Sequence, residues 1–232
     1  MTSTRTLARV AGALYLLVAV GGGYAEAVRT SLRVSGNAAA TTANIAQHAQ
    51  LFRIALAADL LDFVCFLGVG LVLYALLKPV SPQAALAMLV INAVSVAMQA
   101  INMTMHAAAL LVATASGYGA ATPSALLFLD LHQQGYLASQ VFFGLYLLPL
   151  GYLVYRSGLF PKLLGIVLMV GCAGYLAGVV ASYLSPTLQS SLATYFGLLG
   201  GVAELGFVLW LLLFGARVKK QSPAMVGRGA LA

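Results

Sequence analysis

Six separate apolar stretches dominate this chain of 232 residues, at roughly 8–28, 54–77, 84–115, 134–155, 163–183 and 192–214. A helix of about 20 apolar residues crosses the hydrocarbon core of a bilayer. Backbone in lipid must satisfy its own hydrogen bonds, so each stretch is read as a helix. The stretches show no period-two alternation and are too continuous for barrel strands. Only 7% of the residues are charged, against about 25% in an ordinary soluble domain. Twelve Lys and Arg with five Asp and Glu cannot cover the surface of a water-soluble globule. With 62% hydrophobic residues, disorder is excluded too. The expected fold is all-α: a polytopic bundle of six transmembrane helices over residues 1–216, multi-pass in the cell membrane. Residues 217–232 are expected to form a disordered basic cytoplasmic tail.

The breaks carry loop signals: Lys78-Pro79-Val80-Ser81-Pro82, the segment from Arg156 through Gly158 to Pro161-Lys162, and Ser185-Pro186. The polar stretch 35–52 reads as an outer loop with a short interfacial helix. A net charge of +7 would suit nucleic acid if it were clustered, but the basic residues sit between the apolar runs. They therefore report orientation, and no nucleic-acid partner is expected. A cytoplasmic N-terminus puts Arg5, Arg9, Lys78, Arg156, Lys162, Arg217, Lys219, Lys220 and Arg228 inside. Only Arg29, Arg33 and Arg53 then fall outside. The positive-inside rule thus gives both termini in the cytoplasm, as an even number of spans requires. A rival reading makes the first run a signal peptide cleaved near Ala25-Glu26-Ala27. Cys65 and Cys172 lie within apolar runs and say nothing about redox compartment.

Polar side chains within spans are costly in hydrocarbon, so each is a functional candidate. Asp59 and Asp62 are three residues apart, on one helical face. Asn92, Ser95, Gln99, Asn102 and His106 follow spacings of 3, 4, 3 and 4, a polar stripe at the period of a helix seam. The fourth span carries Gln133, Gln140, Gly144 and Gly151, with Pro149 able to kink it. Glu204 sits in the sixth span after Gly197, Gly200 and Gly201. By the helical rise, Asp62, Asn102, His106, Gln140 and Glu204 all fall roughly 7–20 Å below the outer surface. A polar cavity in the outer half of the bundle would account for them together.

A plainer reading stands beside this one. Buried Asn, Gln and Ser often only bond neighbouring helices, at roughly 0.6 kcal/mol each. Gly174-x-x-x-Gly178 and the glycines before Glu204 read as close-packing contacts. Tyr and Phe at span ends commonly serve as interfacial anchors. The carboxylates differ, because Asp59, Asp62 and Glu204 are expected to have no intramembrane Lys or Arg to pair with. They are expected to be held protonated in a dry site, the two aspartates sharing protons as a coupled pair.

His48, His106 and His132 are scattered, so no metal centre is expected. Spacing gives a haem pair of His106 and His132 no support. Asp59-Leu60-Leu61-Asp62 superficially matches the D-x-x-D of membrane prenyltransferases, but no second aspartate-rich motif accompanies it. No nucleotide or phosphate-loop motif is present, and no cofactor is expected. What remains for embedded acids is general acid chemistry on a lipophilic substrate. A protonated Asp can protonate an alkene or epoxide, and aromatic faces such as Tyr136, Phe142, Phe143, Tyr146, Phe196 and Trp210 can steady the cation formed.

The run from Leu7-Ala8-Arg9-Val10-Ala11-Gly12 to Leu16 resembles the opening of a family of bacterial six-helix membrane proteins known as a domain of unknown function. So does the stretch from Phe142-Phe143-Gly144 through Pro149-Leu150-Gly151-Tyr152 to Leu164-Gly165. That resemblance implies the fold. The carboxylate pattern and architecture are more loosely similar to the small membrane-bound terpene cyclases of bacteria and fungi, a likeness that carries no site residue with it. The function expected is a cofactor-independent membrane terpene cyclase acting on a prenylated lipophilic small molecule. Asp59 and Asp62 would donate the proton, and Glu204 would be a second acid or the final base. Gln99, Asn102 and His106 would orient the acids, with Gln140 and Trp210 against the substrate. The alternatives are a small proton-linked transporter and a non-catalytic accessory protein.

Overall fold

The structure, a computed structural model, describes residues 3–115, 124–185 and 201–217. All regular elements among them are helices: α1 Thr4–Leu32, α2 Ala38–Gln47, α3 Ala49–Leu77, α4 Pro82–Thr114, α5 Ala125–Ser157 and α6 Lys162–Leu184. A seventh, α7, is described over Gly201–Leu213. α1 and α3 to α6 are each long and apolar enough to cross a membrane, while α7 is a shorter apolar helix. Their outward faces carry Val20, Val64, Ile101, Leu163 and Leu184, all more than 60% exposed. Such a surface suits lipid and not water.

The expected breaks are where the helices end. Ser81 caps α4 through the Ala84 N–H, with Pro82 at its first turn, where a missing N–H costs nothing. Gly158 ends α5 at φ 67°, a left-handed cap that favours glycine. The short helix expected in 35–52 is α2, capped by Asn37. Most helices outrun their apolar stretches. α5 begins nine residues before the expected 134, because Asp130, His132 and Gln133 interrupt the hydropathy without interrupting the helix. Residues 192–200 of the sixth stretch and the tail from 218 lie outside the described residues.

α1 packs on α3, α3 on α4, α4 on α5 and α5 on α6. α7 closes the ring. Gly12 of α1 lies so near Leu211 that an added Cβ would stand 2.9 Å from that side chain, and Phe160 beyond α5 meets Phe207 edge to face at 5.6 Å. α5 and α6 cross most closely at Gly151 and Gly165, where a Cβ on either would fall 2.6 Å from the other's carbonyl. The close packing expected at the glycines before Glu204 is not found at Gly201, which has open space around it; Gly197 and Gly200 lie outside the described residues.

The polar stripe of α4 works as two clamps. The Asn92 amide donates to the Phe66 carbonyl of α3 at 3.1 Å, lying directly on Gly70. The Asn102 amide donates to the His132 carbonyl of α5 at 2.9 Å, lying directly on Gly135. In each case the missing Cβ lets a side-chain amide reach a helical carbonyl across the seam.

Candidate functional site

Inside the ring is a cavity of about 370 Å³, within the range of small-molecule sites. Four of the chain's five acidic residues line it: Glu26, Asp59, Asp62 and Glu204. Arg29 is the one Lys or Arg among its lining residues. Between the charges the wall is aromatic. Phe66 meets Tyr15 at 5.9 Å and Phe143 at 5.6 Å between centroids, and Tyr136 meets Phe143 at 6.3 Å. Gly22 and Gly23 of α1 leave room opposite Asp62, where a Cβ on Gly22 would come to 3.9 Å from the Asp62 carboxyl.

At the α2 end, Arg29 joins two acids. Its Nη1 donates to Asp59 Oδ2 at 2.6 Å, and its Nε and Nη2 donate to Glu26 Oε2 at 3.1 and 3.0 Å. Asp59 and the Arg29 side chain are largely buried, whereas Glu26 is 60% exposed and marks the rim. The expectation that Asp59 lacks a basic partner is therefore corrected. α1 continues through Leu32, so Arg29 is helical and its long side chain turns back into the bundle. A cation read as an outer-loop charge serves as a buried counter-ion.

Asp59 and Asp62 consequently differ. Asp62 Oδ1 is buried with no hydrogen-bond partner, and that carboxyl is the free acid of the cavity. Glu204 sits at the far end, about 10 Å further along α1 by the rise from Gly22 to Tyr15. Tyr15 donates to its Oε1 at 3.1 Å and Tyr175 to its Oε2 at 3.2 Å. Below them the bundle is filled by Ala8, Ala11, Leu73, Leu150 and Leu211, all fully buried. The cavity is blind at that end.

Gln99 lines the cavity as expected. Asn102 does not; it is committed to the α5 clamp, with Gln99 Oε1 3.4 Å from its amide. His106 lies 3.7 Å from Asp59, beyond hydrogen-bond reach, and lines a smaller cavity beside Arg29, Arg33 and His132. It stacks on His132 at 3.4 Å, which leaves no room for a haem between the rings. Neither Asn102 nor His106 orients an acid by a hydrogen bond. Gln140 and Trp210 are not among the cavity's lining residues; the Trp210 ring lies tilted against Phe214, centroids 4.5 Å apart, with Arg217 over its face. Sequence reasoning placed Glu26 at the outer end of the first span without a role, and missed Arg29, Tyr15 and Tyr175. The Glu26-x-x-Arg29 spacing, which places both on one helical face, was the available signal for Arg29.

An uncharacterized protein of Archaeoglobus fulgidus is 31% identical over 80 residues, covering 34% of this chain and 46% of that protein, so the match spans about half the length of the relative. No solved structure matches the chain. Residues 10–215 match the family described as Domain of unknown function (DUF4386), and the chain belongs to that family.

Proposed function

We propose that this protein is a membrane enzyme that cyclises a prenylated lipophilic substrate by proton transfer from Asp62. The observation that carries the reading is Asp62, which lines a cavity walled by aromatic rings and has a buried carboxyl oxygen with no hydrogen-bond partner. Asp62 protonates an alkene or epoxide, and the aromatic faces stabilise the cation by the attraction of their ring quadrupoles. Glu204, already accepting two phenolic hydrogen bonds, takes the final proton, so an alkene substrate leaves as an isomer of equal mass; water entering the emptied cavity then takes the proton from Glu204 and returns one to Asp62. The Arg29–Asp59 pair holds the mouth and does no proton chemistry itself.

We also infer six crossings with both termini cytoplasmic. Arg5, Arg9, Lys78, Arg156, Lys162 and Arg217 gather at the end opposite α2 by the direction of their helices. Gly215 lies against Arg5 and Arg9 there, and the Arg217 N–H donates to the Leu159 carbonyl. Positive-inside then turns the cavity mouth outward.

The test is incubation of protein-containing membranes with a farnesylated acceptor, its terminal epoxide and a polyprenyl diphosphate, followed by mass analysis. An isomer of the substrate's mass from at least one of them supports the reading. No isomer from any of them would move the acids to the other reading, a proton-linked transporter.

A further inference from the structure

The electrostatic balance of the cavity points to a ligand class independent of any reaction. Glu26, Asp59, Asp62 and Glu204 face it, and one guanidinium answers them. Arg29 is spent on Glu26 and Asp59, at 3.0 and 2.6 Å. Asp62 and Glu204 are left without a basic partner among the described residues, one with an oxygen buried and unbonded, the other held only by phenols. A carboxyl buried away from water either keeps its proton or takes a positive charge as partner, so an entering cation can displace the proton of Asp62. The wall between the two acids is aromatic, and ring faces attract a weakly hydrated cation. A small inorganic ion would instead need converging oxygen ligands to replace its water, which rings do not offer. The blind end and the 370 Å³ volume set the size of the part of the guest held between the two acids.

We propose that this cavity binds a lipophilic organic monocation, a quaternary ammonium or protonated tertiary amine on an apolar group, with its positive centre between Asp62 and Glu204 among Phe66, Tyr136 and Phe143. The site stands whether or not the protein cyclises anything. A chain that bound such a cation but made no isomer would lose the reaction and keep the site.

The probe is phenethyltrimethylammonium, and its control is the neutral isostere (3,3-dimethylbutyl)benzene, of the same shape without the charge. Binding is measured by calorimetry on the purified full chain in nanodiscs of zwitterionic lipid. The cation should bind at least tenfold more tightly than the isostere. Asp62→Asn should weaken cation binding at least tenfold and leave the isostere unchanged. Asp130→Asn, which breaks only the exposed pair with Arg33, should leave both unchanged. Gly22→Val fills the space opposite Asp62 without altering any charge, so it should weaken both ligands and keeps the test open if Asp62→Asn fails to fold. Equal affinity for cation and isostere would overturn the proposal. So would cation binding that survives both Asp62→Asn and Gly22→Val.

Discussion

Asp59 and Arg29, on α3 and α1, meet at 2.6 Å in a largely buried ion pair. Removing one partner of such a pair strands the other charge, at a cost of about 3–5 kcal/mol, whereas an apolar replacement of both is often near neutral. Arg29→Met and Asp59→Leu should each destabilise the protein by about 3 kcal/mol or more. The double variant should be more stable than either single one, as read by unfolding in mild detergent. Additive losses would mean that the two side chains act separately.

The inequality between Asp59 and Asp62 makes a ranking. If the cyclase reading holds, Asp62→Asn should cut turnover by about a hundredfold or more, the scale of a lost general acid. Asp59→Asn should cost far less turnover at equal folded yield. Product formation per folded protein decides it, and the reverse order would place the acid at Asp59.

Glu204 offers a second handle. Tyr15→Phe or Tyr175→Phe removes one donor, which should cost about 1 kcal/mol of stability. Glu204→Gln keeps the volume and should alter the product distribution, since a different base must take the last proton. An unchanged product profile would remove Glu204 from the reaction.

The Asn clamps predict where α4 tolerates change. Gly70→Ala and Gly135→Ala each drive a methyl into an Asn amide and should destabilise by about 1–3 kcal/mol. Gly206→Ala, with open space around it, should be neutral or slightly stabilising. Asn92→Ala should rescue part of the Gly70→Ala loss but none of the Gly135→Ala loss. Melting temperatures of the set give the answer, and rescue of both would show that the clamps are not specific.

Reporter fusions after Leu32, Val80, Ala115, Gly158 and Ser185 should alternate outside and inside, beginning outside. An inside signal after Ala115 would sink the proposed topology.

Much of this architecture was legible in the chain. Of the six spans expected from apolar length, five are helices long and apolar enough to cross and the sixth is described only as a shorter apolar helix; Pro82 and Gly158 marked their joints, and the spacing from Asn92 to His106 marked a seam. The site was half legible. Asp62, Glu204 and Gln99 were found because a polar group in an apolar run stands out. Arg29 was not, because hydropathy stops where a helix leaves the core while a long side chain reaches back past that point. Tyr15 and Tyr175 were missed for the opposite reason: a phenol counts as apolar until its O–H has somewhere to donate. Asn102 and His106 were misjudged because a helical stripe fixes which face a residue occupies. It does not fix whether that face meets a cavity or a neighbouring backbone.

The two clamps on α4 have a mechanical meaning. Asn92 rivets one half of the helix to α3 and Asn102 rivets the other half to α5. α4 is thus a strut braced between two different partners. At the mouth the Asn102 bond and the stacked His106 and His132 rings together hold α4 to α5, so the two halves of the strut are anchored independently.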